Sequence, residues 1–271
     1  MVGARLHDAN HIMIGTDMAT VVQHPSTHND PHWDLRVDLA ASFRWSVRER
    51  WHEAVSNHYS AVTNDDGTEF LMNRNQVHFS RITSSSLLHL NANDPDVMDM
   101  PDAPDMTAWG LHSAIHRHVQ HARVALHVHP KYSTVLASLE DSSMPPIDQN
   151  TATFYERVVI DDGFGGLAFE EEGERCASLF SDPRKKVMVM GNHGILVLGD
   201  SVADAFNRLY FFERAAQTLI LAYSTGKPLR TLSHEIASKT AQELEEYPGQ
   251  AERHLAEVKQ ILDEEEPSYA T

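Results

Sequence analysis

The chain is poor in cysteine: among its 271 residues there is one, Cys176. A single thiol cannot build an internal disulfide framework and fits a reducing compartment, so a cytoplasmic location is expected. Long apolar runs are also missing. No stretch approaches the ~20 residues that a bilayer-spanning helix needs, and the first residues lack the basic-then-apolar pattern of a secretory leader. No membrane partner is expected. Basic residues are scarce beside acidic ones, 22 Lys and Arg against 39 Asp and Glu, for a formal charge of −17. Nucleic-acid binding rests on Lys and Arg replacing counterions, so a nucleic-acid partner is excluded. Neither repeats nor an internal linker interrupt the chain.

What is present is a hydrophobic share of 41%, enough for a full core, and 18 histidines. Residues 1–29 are polar, carry His7, His11, His24 and His28, and read as a poorly packed arm. Asp30-Pro31 predicts a helix start, and Leu35, Leu39, Phe43, Val47 and Trp51 recur every four residues to about residue 53. Residues 54–92 read as strands and turns, 93–106 as a surface loop, and Thr107 to Gln120 as a helix. Strand-like segments follow at 123–129, Val158–Ile160, 186–190 and 195–198, with helices between them. Ser201 to Asp204 has capping-box spacing and opens a helix expected to run to Gly226. The alternation predicts a layered α/β domain over 30–228, followed by a charged helical tail within 229–271.

Histidine abundance alone signifies little, since spacing matters only where local structure makes side chains converge. His116-Arg117-His118 falls on a helix, where residues two apart point about 200° from each other; that pair is expected to face solvent. His127-Val128-His129 falls on a strand, where alternate side chains share a face. These two rings could hold a first-row divalent metal, or could hydrogen-bond in a cleft. His193 follows another apolar strand, between Gly191 and Gly194, which would let the backbone turn and bring it to a neighbouring strand end. Three protein ligands leave positions open for water or substrate, the pattern of a catalytic metal.

These residues resemble the class II aldolase/adducin family. The likeness lies in His127-Val-His-Pro130, in Asn192-His193-Gly194, and in Val197-Leu-Gly-Asp-Ser201 with Ala205-Phe206. Phe70–Asn73, Ile82–Leu87 and Leu111–His116 resemble its adducin-like bacterial branch. The resemblance covers about residues 33–226. It implies a three-layer α/β/α single domain with a central mixed or antiparallel sheet. It also implies a divalent metal, zinc or manganese, on His127, His129 and His193, and a homo-oligomer, a tetramer, with active sites at subunit contacts.

The departures are specific. Family members that cleave sugar phosphates carry a carboxylate just before the Trp of the preceding helix; here that place is Ala108, before Trp109. Met106 and Thr107 replace phosphate-binding serines, and Arg74-Asn75 replaces a phosphate-binding Thr-Gly. A typical phosphosugar aldolase is therefore not expected. A metal-dependent carbon–carbon lyase is, acting by aldol cleavage or decarboxylation on a small hydroxy- or keto-carboxylate or polyol-type substrate. For proton transfer the candidates are His112, Tyr155 and Glu156. His112 would face the cleft or be a buried helix histidine; Tyr155 would act across a subunit contact or simply pack there. For substrate binding they are Arg74, Asn57 and Gln149; Arg74 could clamp a carboxylate or be a solvated loop residue. Glu213 reads as structural. The competing functions are a non-catalytic adducin-like scaffold and a metal-dependent epimerase, the latter disfavoured by the missing phosphate residues.

Overall fold

The structure, a computed structural model, describes residues 29–166 and 170–271; the arm expected over 1–29 lies, save Asn29, outside them. The first helix, α1 (Trp33–Arg48), buries Trp33, Val37, Leu39 and Phe43. It begins later than Asp30-Pro31 suggests, with His32 at its cap. The Asp30 carboxylate instead accepts from His32 N at 2.8 Å and pairs with Arg36 at 2.6 Å, closing a turn before the helix. It also stops before residue 53: Arg50 adopts φ 58°, and Trp51 N donates back to Ser46 O at 3.0 Å.

Seven strands make one sheet: β1 (His58–Val62), β2 (Glu69–Met72), β3 (Leu88–Asn91), β4 (Val124–Val128), β5 (Val158–Asp161), β6 (Val187–Met190) and β7 (Gly194–Gly199). Their spatial order is β3-β2-β1-β4-β7-β6-β5. Every neighbouring pair is antiparallel except β5 with β6, so the sheet is mixed as expected. Alternation sorts each strand between two layers. Leu126, Val128, Val189, Ile195 and Val197 pack on one face with α1, the long helix α6 (Val202–Ser224) and α8 (Gln250–Glu265). Ala125, Met188, Leu196 and Leu198 pack on the other with α2 (Met106–His118) and α5 (Glu170–Leu179). This is the three-layer α/β/α arrangement.

On the second face α2 and α5 cross closely. A side chain at Gly173 would stand 2.2 Å from the carbonyl oxygen of Gly110, so α5 needs glycine at the crossing. The short helix α3 (Lys131–Ala137) starts at Pro130 without a local cap. Its first amides are taken by Glu213 of α6, which accepts from Tyr132 N at 2.9 Å, Ser133 N at 2.8 Å and Ser133 Oγ at 2.7 Å. Glu213 is thus structural, as expected. At the start of α6, Ser201 accepts from Asp204 N at 3.1 Å. The Asp204 carboxylate takes the amide of Asp200, so only half of the expected capping box forms.

Beyond residue 229 the chain forms α7 (His234–Glu245) and α8. The segment read as a charged tail contributes Leu255, Val258, Leu262 and Tyr269 to the main core. Ion pairs join it to α1: Lys259 with Asp38 at 2.6 Å, Arg48 with Glu265 at 2.6 Å, and Arg44 with Glu266.

Candidate metal centre

Strand pairing assembles the site. β4 carries His127 on the face covered by α2 and is followed directly by His129, while the β6–β7 turn holds His193 beside them. One ring nitrogen or other ligand atom from each of the three lies within 4.8 Å of the others, with ring centroids 4.7 to 4.9 Å apart. The turn explains the Asn-His-Gly sequence, though differently from the reading above. The left-handed residue is Asn192, φ 58°, and neither flanking glycine. Gly194 serves close approach: a Cβ there would lie 2.4 Å from His129 Cδ2 and 2.7 Å from Val128 O.

Hydrogen bonds fix the ring tautomers. His127 Nδ1 donates to the carbonyl oxygen of Ile195 at 3.0 Å, and His129 Nδ1 donates to the Glu53 carboxylate at 2.5 Å. With Nδ1 the donor in each ring, Nε2 is the nitrogen left to coordinate, and these two nitrogens stand 3.0 Å apart. Facing lone pairs repel unless a proton or cation lies between them. Two nitrogens on one zinc ion, each about 2.0–2.1 Å from it, stand roughly 3.3 Å apart in a tetrahedral arrangement. The buried Nδ1 of His193 has no hydrogen-bond partner among the described residues. Donor chemistry, spacing and this unpaired atom fit a divalent metal. Burial, reinforced by the neighbouring His58, His129 and His193, holds the His127 pKa well below its usual value. Burial and then His129 bring His193 down to about 4. Both rings are therefore neutral at physiological pH.

A second trio, Asp161, Glu172 and Cys176, also lies close together. Arg175 already pairs with Asp161 and with Glu172 at 3.3 Å, and burial pushes the Cys176 thiol up to about 12. In this group Arg175 ties the two carboxylates together as an ion-paired contact.

The remaining expected site residues are dispersed. His112 is fully buried and bonds to His58 and Ser60, so it does not face the cleft. His116, expected in solvent, is 4% exposed and bonds to Ser60 and Ala122 O; only His118 points outward, to Glu174 at 3.1 Å. The two rings do diverge around α2, but one of the directions is the core. Asn57 and Arg74 line a small cavity with His58, Asn73, Asp105 and Ala108. Arg74 is engaged there by Asp102 at 3.0 Å and by Ser86 O at 3.2 Å. Tyr155 and Glu156 belong to another group around His234, at 3.0 and 3.9 Å. Gln149, at the start of the short helix α4 (Gln149–Thr153), lines a different cavity with Asn207, Phe211 and Tyr247. Sequence reasoning missed Glu53 and His58, which no local spacing connects to the cluster. His58 sits opposite His127 in the β1–β4 register, and its ring stacks on His127 with centroids 4.8 Å apart.

Residues 37–220 match the model of the Class II Aldolase and Adducin N-terminal domain. The chain belongs to the class II aldolase and adducin family. A Pseudomonas aeruginosa relative named "Putative aldolase class 2 protein" is 30% identical over 199 residues, 73% of this chain and 74% of the relative. The solved aldolase II superfamily protein from Pseudomonas syringae superposes with TM-score 0.79 at 29% identity, over 89% of this chain and 97% of that one. An L-fuculose 1-phosphate aldolase from Glaciozyma antarctica PI12 shares the fold, with TM-score 0.74 at 20% identity over 89% and 96% of the two chains. Within this class II aldolase and adducin fold, no helix among the described residues is long and apolar enough to cross a membrane.

Proposed function

We propose that the chain is a metal-dependent carbon–carbon lyase, with one zinc or manganese ion per subunit on His127, His129 and His193. The substrate is a small hydroxy- or keto-carboxylate or a polyol, cleaved by aldol cleavage or decarboxylation. The supporting observation is the convergence of three imidazoles, two with Nδ1 held by a hydrogen bond so that Nε2 faces the site. The bound ion supplies Lewis acidity, polarising a carbonyl or hydroxyl oxygen and offsetting the negative charge that develops as the carbon–carbon bond breaks.

The protein's own part is orientation and exclusion of water. Ile195 O and Glu53 aim two of the rings. The Phe164 ring, centroid 5.4 Å from that of His193, flanks the third with apolar surface. Asn57, His58 and Arg74 border the adjoining cavity and supply its polar groups. Tyr155 and Glu156 enter this reading through a neighbouring subunit, in a homo-oligomer for which exposed Leu221, Ile236 and Tyr247 offer apolar surface.

A non-catalytic adducin-like scaffold is the second reading. It is favoured by Ala108, 1% exposed and packed in an apolar cluster where the sugar-phosphate enzymes carry a carboxylate. Elemental analysis of the purified protein, followed by a screen of the zinc- and manganese-loaded forms with hydroxy acids and aldols, separates the two. The lyase reading expects about one metal per chain and carbon–carbon cleavage that His127→Ala abolishes. A metal-free protein, or full turnover in that variant, defeats it.

A further inference from the structure

A buried line of side chains runs from the metal pocket between β1 and α2. His58 Nδ1 lies 2.8 Å from His112 Nε2, and His112 Nδ1 meets the Ser60 hydroxyl. Ser60 Oγ is 2.6 Å from His116 Nε2, and His116 Nδ1 is 2.9 Å from the carbonyl oxygen of Ala122. All four side chains are buried, His112 and Ser60 completely. No carboxylate joins the line, so burial keeps the three rings neutral.

Every bond in this line then has one permitted direction. A carbonyl only accepts, so His116 Nδ1 carries the hydrogen and His116 Nε2 is bare. Ser60 must donate its single hydrogen to that Nε2, and can meet His112 Nδ1 only as an acceptor. His112 therefore carries hydrogen on Nδ1 and accepts on Nε2, which requires His58 to donate from Nδ1. The last ring is left with a bare Nε2; the hydrogen bond that His58 makes among the described residues runs through Nδ1.

We infer that this line is a tautomer lock that presents His58 to the metal pocket as a neutral acceptor, selecting a substrate hydroxyl over a carboxylate or phosphate oxygen. His58 stacks on His127 and borders the same cavity as Asn57, Arg74 and Ala108. An anionic oxygen placed at Nε2 would face its lone pair, with the Asp105 carboxylate also on the cavity wall; a hydroxyl donates to it. His58 thus supplies hydrogen-bonding capacity beside the position where Ala108 supplies none. It is a positioning residue, and Ser60, His112 and His116 act through it. The role toward substrate rests on the lyase reading above, whereas the tautomer does not.

Long-range 1H–15N correlation spectra of the histidine-labelled, zinc-loaded full chain test the lock, with His58→Gln providing the assignment. The expected result is a pyrrole-type Nδ1 and a pyridine-type Nε2 at His58. In Ser60→Ala, which alters no metal ligand, the two signals should move toward tautomer exchange. The opposite tautomer in the wild type, or an unchanged one in folded Ser60→Ala, overturns the lock; if that variant does not fold, the wild-type spectrum decides alone. Calorimetric titration with glycolate and with methoxyacetate, which lacks the hydroxyl donor, tests the acceptor role. The preference for glycolate should shrink about fivefold in His58→Phe. An unchanged preference, or no binding of either acid, removes that role. Zinc uptake measured alongside separates the failures: a protein that takes up none defeats the lyase reading and leaves the tautomer result standing.

Discussion

His129 and Glu53, 76 residues apart, are joined by a hydrogen bond of 2.5 Å from the imidazole Nδ1 to the carboxylate. That bond turns the other nitrogen of the ring toward His127 and His193. Partners of this kind, one bond removed from a ligand, typically account for 10–100-fold in metal affinity. Glu53→Gln should therefore weaken zinc binding by about tenfold. The Glu53 side chain is 65% exposed, so the melting temperature of the metal-free protein should hardly change. Competition with a chromophoric chelator gives the affinity, and an unchanged value would show that Glu53 leaves the ring unguided.

Gly194→Ala alters no ligand, yet its new methyl would fall 2.4 Å from His129 Cδ2. Either the ring or the β6–β7 turn must move. Zinc affinity should drop at least as far as in Glu53→Gln, with a loss of stability of about 1–3 kcal/mol from the forced contact. Chelator competition and urea unfolding of the same preparation measure both. Wild-type affinity in the variant would mean that the close approach is dispensable.

The buried histidines make stability depend on pH. Burial lowers His116 from 6.5 to about 4 and His58 from 6.5 to about 3. Between those values and 6.5 the unfolded chain takes up protons that the native protein refuses. Stability is therefore fully present above pH 6.5 and is lost as pH falls toward 4, by on the order of 3 kcal/mol for His116 alone. Urea midpoints of metal-free protein between pH 7 and 4.5 should fall steadily, and less steeply in His116→Gln. A flat profile would count against buried neutral rings.

Glu213→Gln leaves the start of α3 with a weaker partner. The carboxylate accepts three bonds there, and hydrogen bonds to charged groups are worth about 1.5–3 kcal/mol each. Because a carboxamide retains part of that interaction, a net loss of about 2–3 kcal/mol is expected. Thermal unfolding checks it, and a change below about 0.5 kcal/mol would mean that Pro130 alone fixes the helix start.

The convergence of His127, His129 and His193 was legible in the sequence because strand alternation is a local rule. His127 and His129 share a face through period two, and His193 follows an apolar run that could only be a buried strand. The layered fold was legible for the same reason, since each element declares its own period. What could not be read was pairing. His58 reaches His127 only because β1 lies antiparallel to β4 in one register. Glu53 lies on a loop whose backbone carries no periodicity. His116 was misplaced because a helix pattern shows which residues diverge and leaves open which of them meets a strand. The C-terminal segment misled through its charge: Arg48, Lys259 and Glu265 lie on its contact with α1, where acidic and basic residues face each other across a packed seam.

That seam has a consequence for how the molecule is made. α1 is the first described helix to be synthesised, and the residues that neutralise its Asp38, Arg44 and Arg48 arrive more than 200 positions later. Phe43 can meet Tyr59 and Phe79 early in synthesis, but the part of α1 that packs on α8 stays uncovered until residue 266 has emerged. Contacts of such sequence separation slow folding, and exposed surface of this kind is what chaperones hold. A chain cut before α8 loses Leu255, Val258 and Leu262 from the core and is expected to associate with itself instead of folding.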